Sequence, residues 1–233
     1  MEDVELKAPN IFLYANESIA IMKGSLLMSL KENSCNTQMS QEQVSKMYKC
    51  MSNEFDAATF DYKYFLDYYR SQYGTTVKDI SQMKDKIMTW WNIYIMTHGK
   101  LTIQGTQLLA PKVGLCAGDI TLMSSKVDTS WKGCPHDQGR GNQPRNDFCA
   151  GPGASHAGDG GFGGVESDDP QERQKCMAVF PTPYYFGKEA AYEGSGGTSG
   201  DWKKVTGGAG GGIIWSHTPG TTQMNSSSYK ADG

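Results

Sequence analysis

Gly153-Ala-Ser155-His156-Ala157 is one residue away from G-x-S-x-G, the pattern that raises a nucleophilic serine on a tight turn. That turn needs a strand before the serine and a helix after it, whereas here glycine and proline lie on both sides. Cys134-Pro135-His136, with Cys149 and His156, offers donors for zinc, but the spacings fit no common zinc arrangement. Asp119 and Asp128 read as carboxylates on adjacent coils of a repeat. A general acid needs its second group within reach, and two aspartates on a solvated face are the plainer reading. Asp159 and Asp168-Asp169 stand in glycine-rich loops without the D-x-[DN]-x-[DN]-G order of a calcium loop. GSGGTSG lacks the GK[ST] of a phosphate loop. These residue types therefore predict no catalytic group, no metal and no bound cofactor.

The cysteines point to different chemistry. Cys35, Cys50, Cys116, Cys134, Cys149 and Cys176 form an even, widely spaced set with no C-x-x-C, as in a disulfide framework. Proximity in sequence pairs Cys149 with Cys176, Cys116 with Cys134 and Cys35 with Cys50. The loop closed by Cys149 and Cys176 would contribute ~3–4 kcal/mol in the chain-entropy picture. Asn16-Glu-Ser18 and Asn225-Ser-Ser227 are N-glycosylation sequons. Disulfides and sequons predict an extracellular or cell-surface setting. MEDVELKAPN has no apolar leader core. The two are reconciled if the chain is part of a longer secreted or membrane-anchored protein, and SSYKADG, stopping in mid-pattern, fits that expectation.

What positions these residues is a short repeat. Leu101-Thr-Ile-Gln-Gly-Thr-Gln-Leu108 recurs 19 residues on as Ile120-Thr-Leu-Met-Ser-Ser-Lys-Val127. Asn92–Leu109, slid back by 82 residues without a gap, falls on Asn10–Leu27, with Asn, Ile, Ile, Leu and Leu as identities. Strand–turn–strand units at a short fixed step are the mark of a solenoid, whose units bury their apolar faces by stacking. Leu101, Ile103, Leu108 and Ala110 should point inward around a corner at Gly105, and Ile120, Leu122 and Val127 around a corner at Ser124-Ser125. Leu101 should therefore stack on Ile120, and Ile103 on Leu122.

The chain then divides as a β-coil segment over 1–30, a helical insertion over 31–91, coils over 92–131, disulfide-linked glycine-rich loops over 132–212, and a coil segment over 213–233. In the insertion, Thr76-Val-Lys-Asp79 is a capping box, followed by Val77, Ile80, Met83 and Ile87 at helical spacing. Its aromatics, from Phe60 to Tyr73, read first as packing onto the coils, with sugar stacking as the alternative. The glycine-rich region is punctuated by aromatics and cysteines, which favours ordered loops with close backbone approach over a linker. With 28 glycines and 38% hydrophobic residues in 233, the chain suits stacked β-coils better than a globular enzyme core. The net charge of −3 has no basic stripe, which argues against nucleic acid. No segment approaches the ~20 apolar residues of a membrane span.

The order CAGPGASHAGDGGFGG, PYYFGKEAAYEGSGG, GGAGGGIIW resembles the glycine-rich β-helix regions of very large cell-surface proteins of ciliates and other protists. The resemblance covers most of 92–233 and more faintly 8–30; the insertion carries none of it. It implies a right-handed parallel β-helix, a surface location and a large, cysteine-rich parent. It supplies no enzymatic activity and no catalytic residue to map. The expectation is a non-catalytic structural or adhesive segment, in a filament or surface coat. Its partners would be other copies or subunits stacking on exposed coils, and possible glycan ligands. A carbohydrate-binding or carbohydrate-active β-helix is the alternative.

Overall fold

A short strand whose side chains alternate in and out can bury its apolar face only against other strands. The computed structural model describes residues 1–31, 91–136, 138, 169–171, 207–218 and 220–233, and there the strands meet that need by lying in three parallel sheets. In chain order they are β1 (Glu5–Ala8), β2 (Ile11–Ala15), β3 (Ile19–Ile21), β4 (Leu26–Ser29), β5 (Ile93–Thr97), β6 (Lys100–Gln104) and β7 (Gln107–Leu109). There follow β8 (Lys112–Cys116), β9 (Asp119–Met123), β10 (Lys126–Asp128), β11 (Ile213–His217), β12 (Thr222–Asn225) and β13 (Ser228–Lys230). The first sheet runs β1-β4-β7-β10-β13, the second β11-β8-β5-β2 and the third β12-β9-β6-β3. The chain visits the second, third and first sheets in that order on each of four passes, beginning at β2, β5, β8 and β11. The described chain is thus mainly β and parallel.

Register follows the repeat. Leu101 pairs with Ile120 and Ile103 with Leu122, as the 19-residue step requires. Ile11 pairs with Ile93 and Ile19 with Leu101, so the slide of 82 holds through two sheets. It fails in the third strand of the pass, where Leu27 pairs with Leu108 and Leu26 with Gln107 rather than with Leu108. The first pass has one more residue at its corner: between paired positions, four residues separate Ile21 from Leu26, and three separate Ile103 from Gln107. A slip of one would have turned the inward leucine outward, so packing sets the register and the corner absorbs the difference. Ile21, Leu27, Ile93, Ile95, Leu101, Ile103, Leu108, Leu115 and Ile120 are fully buried in one cluster.

The corners between third and first sheets share one construction. Gly24, Gly105, Ser124 and Ser226 each have positive φ, from 48° to 85°, and each is followed by a hydroxyl residue: Ser25, Thr106, Ser125 and Ser227. The Thr106 amide donates to Ser125 Oγ at 3.3 Å, and the Ser125 amide to Ser227 Oγ at 3.0 Å. Ser125 Oγ in turn donates to a backbone carbonyl, Met123 O at 2.8 Å or Ile103 O at 3.1 Å. A ladder of hydroxyls thus satisfies buried amides where the sheets turn.

The described residues form two compact units. One contains 1–31, 91–128 and 214–230, which carry nearly all of the strands; the other contains 129–136, 138, 169–171, 207–213 and 231–233. In the second unit the Gly133 amide donates to Gly210 O at 2.7 Å, the Gly210 amide to Cys134 O at 2.9 Å and the Gly212 amide to Thr129 O at 2.8 Å. A Cβ on Gly133 would lie 2.1 Å from the Gly211 carbonyl oxygen, so close backbone approach accounts for this glycine. The expected helical insertion, apart from its end residues 31 and 91, lies outside the described residues.

Candidate functional site

Asp119 opens β9, and Asp128 closes β10, so both belong to the same pass and to different sheets. The expectation of adjacent coils is corrected: the step between passes runs from Lys100 to Asp119, and Asp128 lies with Asp119 in the pass that β8 begins. Each carboxylate has a structural task. Asp119 Oδ1 accepts from the Thr221 amide at 2.8 Å and from Thr221 Oγ1 at 3.0 Å, and these two bonds hold its carboxyl below the usual aspartate range, with Lys100 adding to them. Asp128 pairs with Lys126 on the same face of β10.

Cys116 is a buried thiol on β8, whereas Cys134 is disulfide-bonded. The expected Cys116–Cys134 bridge is therefore corrected. Cys116 belongs to a strand buried on both faces, which accounts for its thiol being packed away. A disulfide-bonded Cys134 also has no thiolate to give to zinc, and His136 beside it is exposed. Among the described residues no three His, Cys, Asp or Glu side chains come together as a metal site. Asp169 Oδ1 accepts from the Gln171 amide at 2.8 Å, a local turn contact. Cys35, Cys50, Cys149, Cys176, Ser155, His156, Asp159 and Asp168 lie outside the described residues.

Both sequon asparagines are exposed, Asn16 after β2 and Asn225 at the end of β12. Asn16 Oδ1 accepts a hydrogen bond from the Tyr14 hydroxyl. Asn225 lies in register with Met123 on the outward side of the third sheet. That side carries Lys100, Thr102 and Gln104 from one pass, Asp119, Thr121 and Met123 from the next, and Gln223 and Asn225 from the last. It is a polar face of mixed charge.

The outward side of the second sheet is aromatic. Phe12 stacks on Tyr94 with ring centroids 6.2 Å apart, and Tyr94 stacks on Trp215 at 6.2 Å across the gap left by Gly114. Trp91 closes on Tyr94 at 5.8 Å, and a Cβ on Gly114 would fall 2.4 Å from the Tyr94 ring. The rings present their faces to one another, and Tyr94 and Trp91 are buried, so this column serves packing. Phe12 and Tyr94 share a phase in the 82-residue slide, which is the sequence signal for it. Trp215 carried no such signal.

Sequence reasoning also passed over Trp131. It is 62% exposed, the most exposed large apolar side chain described, and its φ is 57°. Its amide donates to Asp232 O at 2.8 Å, and the Lys132 amide donates back to Thr129 O at 3.2 Å. Ser130 Oγ accepts from the Asp232 amide at 3.2 Å and donates to Asp232 Oδ2 at 3.4 Å. The turn is thereby fastened on both sides of the indole. The signal available in sequence was the unusual placement of a tryptophan between Ser130 and Lys132-Gly133, directly after a coil.

Comparison with protein-family models, with curated proteins and with solved structures gives no match. The class assigned to the chain thus rests on its own geometry, that of a mainly β protein built from three parallel sheets.

Proposed function

We propose that the chain is a right-handed parallel β-helix and serves as a non-catalytic structural or adhesive segment of a larger extracellular or cell-surface protein. The observation that carries this reading is the in-register stack. Leu27, Leu108 and Val127 continue one another across the first sheet, and Ile21, Ile103 and Leu122 across the third. Such a stack gives rigidity along its axis and leaves the polar outward face of the third sheet for contact. The last pass supports partners that add to it, because β12 is an edge strand exposed along its whole length. An open edge of this kind invites pairing with another chain.

The reading is tested by labelling intact cells with a membrane-impermeant amine reagent and recovering the protein. Mass spectrometry of the recovered chain, under non-reducing conditions, reads the cysteine linkages and any glycan at Asn16 or Asn225. Surface labelling with the disulfides oxidised is the expected outcome. Labelling only after permeabilisation, with the thiols reduced throughout, would sink the extracellular assignment. A crystal structure with left-handed winding would overturn the handedness.

A second reading, carbohydrate binding, is favoured by one observation: the exposed indole of Trp131, held on a fixed turn.

A further inference from the structure

We propose that Trp131 is the stacking platform of a carbohydrate site, with the carboxylate of Asp232 and the hydroxyl of Ser130 at its edge. The ligand class is a β-linked pyranose of the gluco type. The inference rests on the adhesive reading and names its ligand.

Two independent features single out this residue. The first is exposure: most of the indole is in solvent, although the ring is the largest apolar side chain a protein has to bury. The second is the backbone. Among the described positive-φ residues, the others are glycine, which adopts that region freely, and the small polar residues serine and aspartate. A bulky side chain there is an outlier, and such strain persists only where the surroundings impose it. Here the surroundings are plain: the amides of Trp131, Lys132 and Gly133 are all engaged, to Asp232 O, Thr129 O and Gly210 O. On one side the ring approaches Gly208, where a Cβ would sit 3.4 Å from the edge of the six-membered ring. The turn is thus built to hold an indole out in water.

The neighbours indicate what the indole meets. An apolar protein surface would call for a contiguous apolar patch, whereas this ring's chain neighbours, Ser130 and Lys132, and the residue that binds its amide, Asp232, are polar. An anionic membrane surface would be repelled by the carboxylate. A sugar needs this mixture: an aromatic face for its C–H bonds and acceptors and donors for its hydroxyls. The Asp232 carboxylate accepts, and the Lys132 ammonium donates. A β-gluco pyranose carries its hydroxyls equatorially, so it offers a flat face of C–H bonds to the ring while its hydroxyls reach the rim. Because the turn is fastened before the ligand arrives, little ordering is left to oppose binding.

The test is calorimetric titration of the full chain and its variants with cellotetraose and chitotetraose, with the tryptophan indole N–H resonances of the wild type followed in parallel; that of Trp131 is assigned by its loss in Trp131→Phe. A saturable shift of the Trp131 resonance is expected with at least one of the two. Trp131→Ala and Trp131→Gly should both weaken binding by about tenfold or more, and Trp131→Phe by less, since a smaller ring still stacks. Trp131→Gly suits the positive φ and keeps the turn, so loss of binding in that variant reports the ring and not a misfolded loop. Asp232→Asn should weaken binding severalfold with the other tryptophan resonances unmoved. No shift at ~10 mM of either sugar, or equal binding by wild type and Trp131→Gly, would overturn the proposal. Surface labelling of intact cells separates the two failures. A labelled protein that ignores both sugars loses this site alone, and an unlabelled one loses the adhesive reading as well.

Discussion

Replacing Ser125 with alanine tests the corner ladder at its most committed point. Ser125 is 5% exposed and Thr106 1%, so neither side chain has water to fall back on. The hydroxyl accepts the Thr106 amide at 3.3 Å and gives its own proton to Met123 O or Ile103 O. Alanine removes one donated bond and leaves the Thr106 N–H buried without an acceptor. A net hydrogen bond is worth about 1 kcal/mol, and an orphaned buried donor costs about 1–3 kcal/mol. The expected loss is about 2 kcal/mol, or roughly 30-fold in the folding equilibrium. Urea unfolding followed by circular dichroism reads the total, and amide hydrogen exchange reads the site: protection should fall at Thr106 first. Ser125→Thr is the control, because Thr106 fills the equivalent place one pass earlier, and it should stay within ~0.5 kcal/mol of wild type. If Ser125→Ala unfolds within ~0.5 kcal/mol of wild type and Thr106 keeps its protection, the ladder contributes nothing and the corner argument is wrong.

Leu108→Ala should cost about 2–5 kcal/mol in the same unfolding assay, because Leu108 is fully buried between Leu27 and Val127 in the stack. Gly114→Ala should destabilise by about 1–3 kcal/mol, since its Cβ would fall 2.4 Å from Cδ2 of a ring already packed on both faces, and near-ultraviolet circular dichroism should report the displaced Tyr94. Ser124→Gly, at a φ of 48°, should stabilise by a few tenths to about 1 kcal/mol, measured by the urea midpoint. Burial pushes the His217 imidazole below its ordinary value, so the unfolded chain binds a proton that the folded chain resists. Stability should be full above the ordinary histidine pKa and decline as pH falls through the depressed one; His217→Gln should flatten that slope, and an unchanged slope would refute the assignment.

Much of the architecture was written in local pattern. The apolar residues at Leu101, Ile103 and Leu108, and their counterparts at Ile120, Leu122 and Val127, share a period and a step, and together these fix which side chains face inward and which strands are neighbours. The corners were legible for the same reason: Gly105 and Ser124-Ser125 interrupt the alternation with residues that can turn. Two kinds of fact were not legible. The first is anything set by counting across a corner. The slide of 82 residues ran one residue past Leu27, because sequence matching rewards leucine on leucine while the stack needs the inward leucine alone. The same limit misplaced Asp128, whose pass is decided by where the chain turns after Met123.

The second kind is set by what meets across long gaps. Proximity in sequence joined Cys116 to Cys134, but β8 is buried on both faces, and Cys116 keeps its thiol there. Tyr94 and Trp215 are far apart in the chain and become neighbours because β8 between them presents Gly114. Nothing near Trp131 in sequence says that Asp232 will bind its amide and fix a left-handed backbone under an exposed ring. Sequence alone therefore determined the β character, the repeat step and the inward residues of the second and third passes, since each depends on local alternation. Which strand ends meet, which cysteine stays a thiol and which aromatic is left in water depended on chain segments brought together from more than a hundred residues apart, and only the tertiary structure decided them.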